Sequence, residues 1–89
     1  LTHEIHGRRK PYTERGVRRL PCVRCGEPAA TQWSICADGN VHRPICVLCD
    51  IALNHLVLSW SGIPGWERKA KEYARKMRRE HGLSTSDYD

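Results

Sequence analysis

Residues 43–54 read RPICVLCDIALN, an apolar run that carries two cysteines three positions apart, followed by Asp50 and Asn54 one helical turn from each other. A core helix needs none of these four side chains. Their presence asks for a metal ion, a polar partner, or both. Upstream, CVRCG at 22–26 repeats the cysteine spacing, and twenty residues separate the two pairs. C-x2-C … C-x2-C at this separation is the pattern of a four-thiolate zinc site, in which Cys22, Cys25, Cys46 and Cys49 each give one sulfur to one tetrahedral Zn2+. Four cysteines also suit an iron–sulfur cluster, and a single pair would serve as a redox dithiol; two convergent pairs favour structural zinc. Cys36 is left over and reads as a small hairpin residue.

The remaining composition makes a staple necessary. In 89 residues the hydrophobic fraction is 39% and Phe is absent, so one thin core is all that the chain builds by itself. Five cysteines, an odd number, and no basic-then-apolar leader pattern argue against a secreted disulfide scaffold. No apolar run reaches the roughly 20 residues of a membrane span. The expectation is a soluble, cytoplasmic protein with no membrane partner.

Charge is segregated along the chain. Residues 1–20 hold Arg8, Arg9, Lys10, Arg15, Arg18 and Arg19 against Glu4 and Glu14, a balance of +4. Residues 67–80 hold Arg68, Lys69, Lys71, Arg75, Lys76, Arg78 and Arg79 against three glutamates, again +4, while the segment 21–66 balances to −1. Two basic arms around a neutral centre suit a polyanion, because clustered Lys and Arg release counterions from phosphates. These thirteen cations are the expected nucleic-acid contacts, with zinc loading lowering the net charge from +5 to +3 because four thiolates outweigh one Zn2+ by two.

Residues 1–21 show neither helical nor alternating periodicity and read as a basic extended arm ending at Leu20. Asp38-Gly39 is a hairpin-turn signal between strands expected near 31–36 and 41–45, with Trp33 and Ile35 on one face. Val47 to Trp60 is too long and too densely apolar for a strand and reads as a first helix, closing a segment 22–62. A second, basic amphipathic helix fills 63–82, with Trp66, Ala70, Tyr73 and Met77 as its buried stripe and Gly82 as its stop. Residues 83–89 read as a frayed tail. Trp33, Trp60, Trp66 and Tyr73 are expected in the core, and Tyr12 is the exposed ring.

A C-x2-C-G turn, a hairpin, and a helix that opens on C-x2-C resemble a treble-clef zinc finger. The predicted fold class is therefore a small α+β zinc-stapled domain with a second basic helix and a basic arm. CVRCG … DGNVHRPICVLCDIAL is similar to the zinc-binding half of the phage recombination endonuclease VII group of the His-Me (HNH) finger class, over roughly Cys22 to Leu53. The resemblance implies a phage or mobile-element origin in a bacterial or phage-infected cell, and DNA in preference to RNA. It also implies a metal-dependent nuclease with an Asp-His pair on the first hairpin strand, but Trp33, Ser34, Ile35 and Cys36 stand there instead. The position after the last cysteine, an Mg2+ ligand in that group, is Asp50. Rebuilding a catalytic site would draw on Asp50 with His42 or His55 and on Mg2+. Three functions follow: a nucleic-acid-binding zinc module, which the charge pattern favours, a nuclease with a rearranged site, and a protein-binding adaptor.

Overall fold

The computed structural model describes residues 13–88. It is a small α+β structure that divides after Cys46 into two compact units. Each is built from short-range elements.

The first unit opens with α1 (Glu14–Val17), a single turn whose start is capped by Thr13, the hydroxyl accepting from Gly16 N–H at 2.9 Å. The sequence reading has no helix in this stretch. A cap residue followed by Val17 makes one locally, because Val17, at 2% exposed, is the most deeply buried of the large side chains and anchors the turn. Leu20, the expected anchor, is half-buried. Its carbonyl accepts from Ala29 N–H, and Pro21 and Pro28 bridge, so residues 20–29 form a closed loop.

β1 (Thr31–Ile35) and β2 (Val41–Ile45) form an antiparallel hairpin in the register Thr31↔Ile45 to Ile35↔Val41. The connection is a 3-10 turn over Cys36–Asp38, so the first strand ends one residue before the sequence suggests. Gly39 and Asn40 then both take positive φ, 73° and 62°, to reverse the chain. Glycine and asparagine tolerate this region at least strain, which is why DGN occupies the turn.

The second unit is two helices, α2 (Val47–Trp60) and α3 (Trp66–Glu80). α3 buries Ala70 and Ala74 and half-buries Trp66, Tyr73 and Met77, the expected stripe together with one more alanine. Small residues at 70 and 74 let the two helices approach closely. His55 of α2 meets the Trp66 ring edge-on, with centroids 5.4 Å apart and planes at 80°. Trp60 departs from expectation: at the last position of α2 it is 73% exposed instead of core.

Residues 83–88 are tied back to the end of α3. Leu83 N–H donates to Arg78 O at 2.7 Å, Arg78 Nε donates to Ser84 O at 2.6 Å, and Ser86–Tyr88 form a 3-10 turn. Among the described residues, no helix is long and apolar enough to cross a membrane.

Val17→Ala, which empties the most buried position of the first unit, is expected to lower unfolding free energy by about 1–2 kcal/mol without changing metal stoichiometry. Urea unfolding followed by far-UV circular dichroism measures the first quantity, and elemental analysis the second.

Candidate metal centre

The two cysteine pairs arrive by different local routes. Cys22 N–H donates to Glu27 O at 2.7 Å and Gly26 N–H to Cys22 O at 2.9 Å, which folds 22–27 into a tight knuckle. Gly26 sits at φ 84°, where a side chain would be strained, so the glycine after the first pair is a backbone requirement. Arg24 N–H points at Cys22 Sγ at 3.4 Å, a donor aimed at the sulfur. Val23 N–H to Pro44 O at 3.1 Å and Ala30 N–H to Ile45 O at 2.9 Å lay the knuckle along β2. Cys46, the next residue after that strand, is thereby delivered to the first pair. Cys49 follows in the opening turn of α2, where N–H groups of a helix start can face a thiolate and moderate its charge.

The result is a single cluster. Sγ atoms of Cys22, Cys25, Cys46 and Cys49 all lie within 4.8 Å of one another, and Cys25 and Cys46 are 3.5 Å apart. Tetrahedral zinc with bonds of about 2.3 Å sets sulfurs roughly 3.8 Å apart, and a disulfide would need about 2.05 Å. The spacing suits four ligands around one ion and is too long for a disulfide between Cys25 and Cys46. Cys22, Cys46 and Cys49 are buried while Cys25 is exposed, so the centre has one edge toward water. Four clustered thiols of this kind can hold a metal ion. Cys36 lies outside the cluster, exposed on the 3-10 turn of the hairpin.

The polar half of the motif finds its partner on α3. Asp50 is 7% exposed, the one buried charged side chain among the described residues. Its Oδ2 accepts a short hydrogen bond from the Tyr73 hydroxyl of α3. Asn54 Nδ2 donates to Asp50 O at 2.9 Å and reaches Asp50 Oδ1 at 3.3 Å. Asp50 therefore ties α2 to α3, and Asn54 holds Asp50 from within α2. A signal for this pairing exists in the sequence: Tyr73 stands in the inner stripe of α3, and a buried tyrosine needs an acceptor for its hydroxyl. Burial first, then the Asp50 hydrogen bond and the charges of Asp50 and Glu80, push the Tyr73 phenol well above its ordinary value of 10.0.

The other expected site residues are dispersed. His42 is half-buried on β2, and its Nε2 is buried with no hydrogen-bond partner among the described residues. His55 is engaged with Trp66. Arg8, Arg9, Lys10 and Tyr12 lie outside the described residues, whereas Arg15, Arg18 and Arg19 are exposed at and after α1. On α3, Arg68, Lys69, Lys71, Lys76 and Arg79 are exposed, but Arg75 and Arg78 are half-buried, Arg78 being held on the chain's own Ser84.

Cys46→Ser is expected to abolish stoichiometric metal binding and, with it, cooperative unfolding, since a closed thiolate site contributes on the order of 10 kcal/mol of apparent binding free energy. Metal analysis and thermal melts with and without chelator check both effects. Tyr73→Phe removes the donor to a buried carboxylate and is expected to destabilise by about 1–3 kcal/mol. Folding retains the phenol proton, so this group's contribution is complete below pH 10.0 and is lost as pH rises above it. Unfolding midpoints across alkaline pH are expected to fall more steeply for the native chain than for Tyr73→Phe.

Comparison with known protein families, with curated proteins and with solved structures finds no match.

Proposed function

We propose that this chain is a nucleic-acid-binding module, stapled by structural zinc in a treble-clef-type arrangement, and that its polyanion is DNA in preference to RNA. The observation that carries the reading is the outer face of α3. That helix buries a narrow stripe and leaves Arg68, Lys69, Lys71, Lys76 and Arg79 in water. Five exposed cations on one helix of 15 residues form a surface on which phosphates bind by counterion release. Exposed Arg15, Arg18 and Arg19 extend the basic character of the molecule. Zinc is the ion that suits four thiolates in a closed tetrahedral shell with no redox role.

Binding is favoured over cleavage by the fate of Asp50. Both carboxylate oxygens already accept hydrogen bonds, from Tyr73 and from Asn54, and the group is buried. An Mg2+ ion bound there would have to displace the bond that links the two helices. Of the two candidate bases, His42 and His55, the latter packs against the Trp66 ring. These side chains support the helical unit, and the exposed cations do the recognition.

Fluorescence anisotropy with labelled duplex, single-stranded DNA and RNA tests the reading. Affinity is expected to fall steeply between about 50 and 200 mM salt. The triple substitution Arg68→Glu, Lys71→Glu, Lys76→Glu is expected to weaken binding at least tenfold and to reduce the log–log salt slope by about one for each phosphate no longer neutralised. Absence of binding at low salt, or binding indifferent to salt, defeats the proposal. Nicking of plasmid DNA in Mg2+ by the native chain but not by Asp50→Ala would replace it with the nuclease reading.

A further inference from the structure

Beside the cysteine knuckle the first unit has a cavity of about 340 Å3, lined by Leu20, Pro21, Cys22, Val23, Arg43 and Pro44. Its walls are largely aliphatic: Leu20 is half-buried, Pro44 is buried and Val23 is 41% exposed. The backbone of the 20–23 wall has no donor left over. Leu20 N–H is bound to Val17 O, Cys22 N–H to Glu27 O and Val23 N–H to Pro44 O, and Pro21 and Pro44 have no N–H. The charged donor that a ligand meets is the guanidinium of Arg43, an exposed side chain that makes no hydrogen bond or ion pair among the described residues. None of the six lining side chains is acidic. The adjoining sequence has the same sign. Arg18 and Arg19 directly precede the lining segment, Arg24 directly follows it, and all three are exposed. Residues 18–46 carry four cations, every one an arginine, against Glu27 and Asp38.

We propose that this cavity receives one unstacked base of a single-stranded nucleic acid, with the adjoining phosphate on Arg43. The inference rests on the nucleic-acid reading and narrows it to strands whose bases are free. Size, charge and chemistry select the occupant together. At about 340 Å3 the cavity lies near the small end of ligand pockets, room for one nucleotide but not for a base pair or a stacked run. A base inside a duplex has both faces covered by its neighbours and cannot enter without leaving the stack. Its faces are apolar, and pyrrolidine rings and aliphatic side chains cover them without hydrogen bonds to the base edge, so entry is tolerant of sequence. A guanidinium presents a planar fork of N–H donors that matches two phosphate oxygens, and the arginines at 18, 19 and 24 offer further forks for the same strand. A peptide that filled the cavity with an aliphatic residue and set its carboxylate on Arg43 would use one of the four arginines. A strand carries a phosphate at every nucleotide.

Fluorescence anisotropy of a labelled deoxyoligonucleotide of about 12 nucleotides, single-stranded and as its duplex, with the metal-loaded full chain tests the assignment. The native chain is expected to bind the single strand at least tenfold more tightly than the duplex. Arg43→Gln is expected to weaken single-strand binding at least tenfold and to reduce the log–log salt slope by about 0.7, the loss of one phosphate contact, while changing duplex binding less than twofold. Val23→Glu, which sets a carboxylate at the cavity, is expected to weaken single-strand binding to the same degree. 2-Aminopurine placed in the strand reports entry directly. Stacking on other bases quenches it, so its emission is expected to rise with the native chain and not with either variant. Unchanged metal content and circular dichroism establish that the variants fold; Arg43→Lys, which keeps the charge and loses the fork, replaces one that does not and is expected to weaken single-strand binding at least threefold. Single-strand binding that survives in the folded variants but is lost in the triple substitution Arg68→Glu, Lys71→Glu, Lys76→Glu overturns the cavity assignment and leaves the nucleic-acid reading standing. Absence of binding to any nucleic acid overturns both, and a preference for duplex overturns the assignment. A short peptide with an aliphatic C-terminal residue that binds the native chain, fails with Arg43→Gln and does not compete with the oligonucleotide assigns the cavity to a protein and equally overturns the proposal.

Discussion

Four sulfurs brought within 4.8 Å of one another are the constraint on which the rest of this small structure depends. Among the described residues Val17 is the large side chain buried almost completely, and much of the remaining core is alanine and cysteine. A core of that kind does not offset the conformational entropy of ordering a chain this short. A metal held by these four thiolates would supply a single term larger than any packing contribution, and it would tie the 22–27 knuckle to Cys46 and Cys49. Local backbone geometry serves the same end. Gly26 turns the knuckle, the Arg24 amide faces sulfur, and the Val23 amide anchors the knuckle to Pro44.

The helical unit relies on a second kind of tie. Asp50 sits directly after a cysteine of the cluster, yet its side chain serves α3 through the Tyr73 hydroxyl. A buried carboxylate with a phenol donor and a neighbouring asparagine is tolerated because its lone pairs are used. The arrangement fixes the rotation of α3 about its own axis and leaves the exposed arginines and lysines on the outer side. One polar bond thus links the spacing of the cysteine motif to the surface proposed to meet nucleic acid.

Charge and apolarity are kept apart in this chain. Cations gather before the first cysteine and on α3, while α2 and the turn after it have sixteen residues without any. A helix apolar around most of its circumference is satisfied only when both of its sides are covered. α3 covers one, and the stripe of Leu56, Val57 and Trp60 remains in contact with water in the single chain.

Sequence spacing alone determined the four-cysteine set, the hairpin around DGN, and the extents of α2 and α3 to within a few residues. These are local properties: turn chemistry, periodicity and ligand spacing act over a few positions, so they are legible without knowledge of distant contacts. Tertiary structure decided what depends on partners far away in the chain. Only the fold showed that Asp50 bonds to Tyr73, twenty-three residues on, that Arg75 and Arg78 are partly withdrawn from solvent, and that Val17, instead of Leu20, anchors the start of the described chain. Trp60 is the clearest case, since its apolar character and its place at the end of an apolar helix predicted burial. Whether such a side chain is buried depends on what covers it, and burial is a property of neighbours, which periodicity along one helix does not specify.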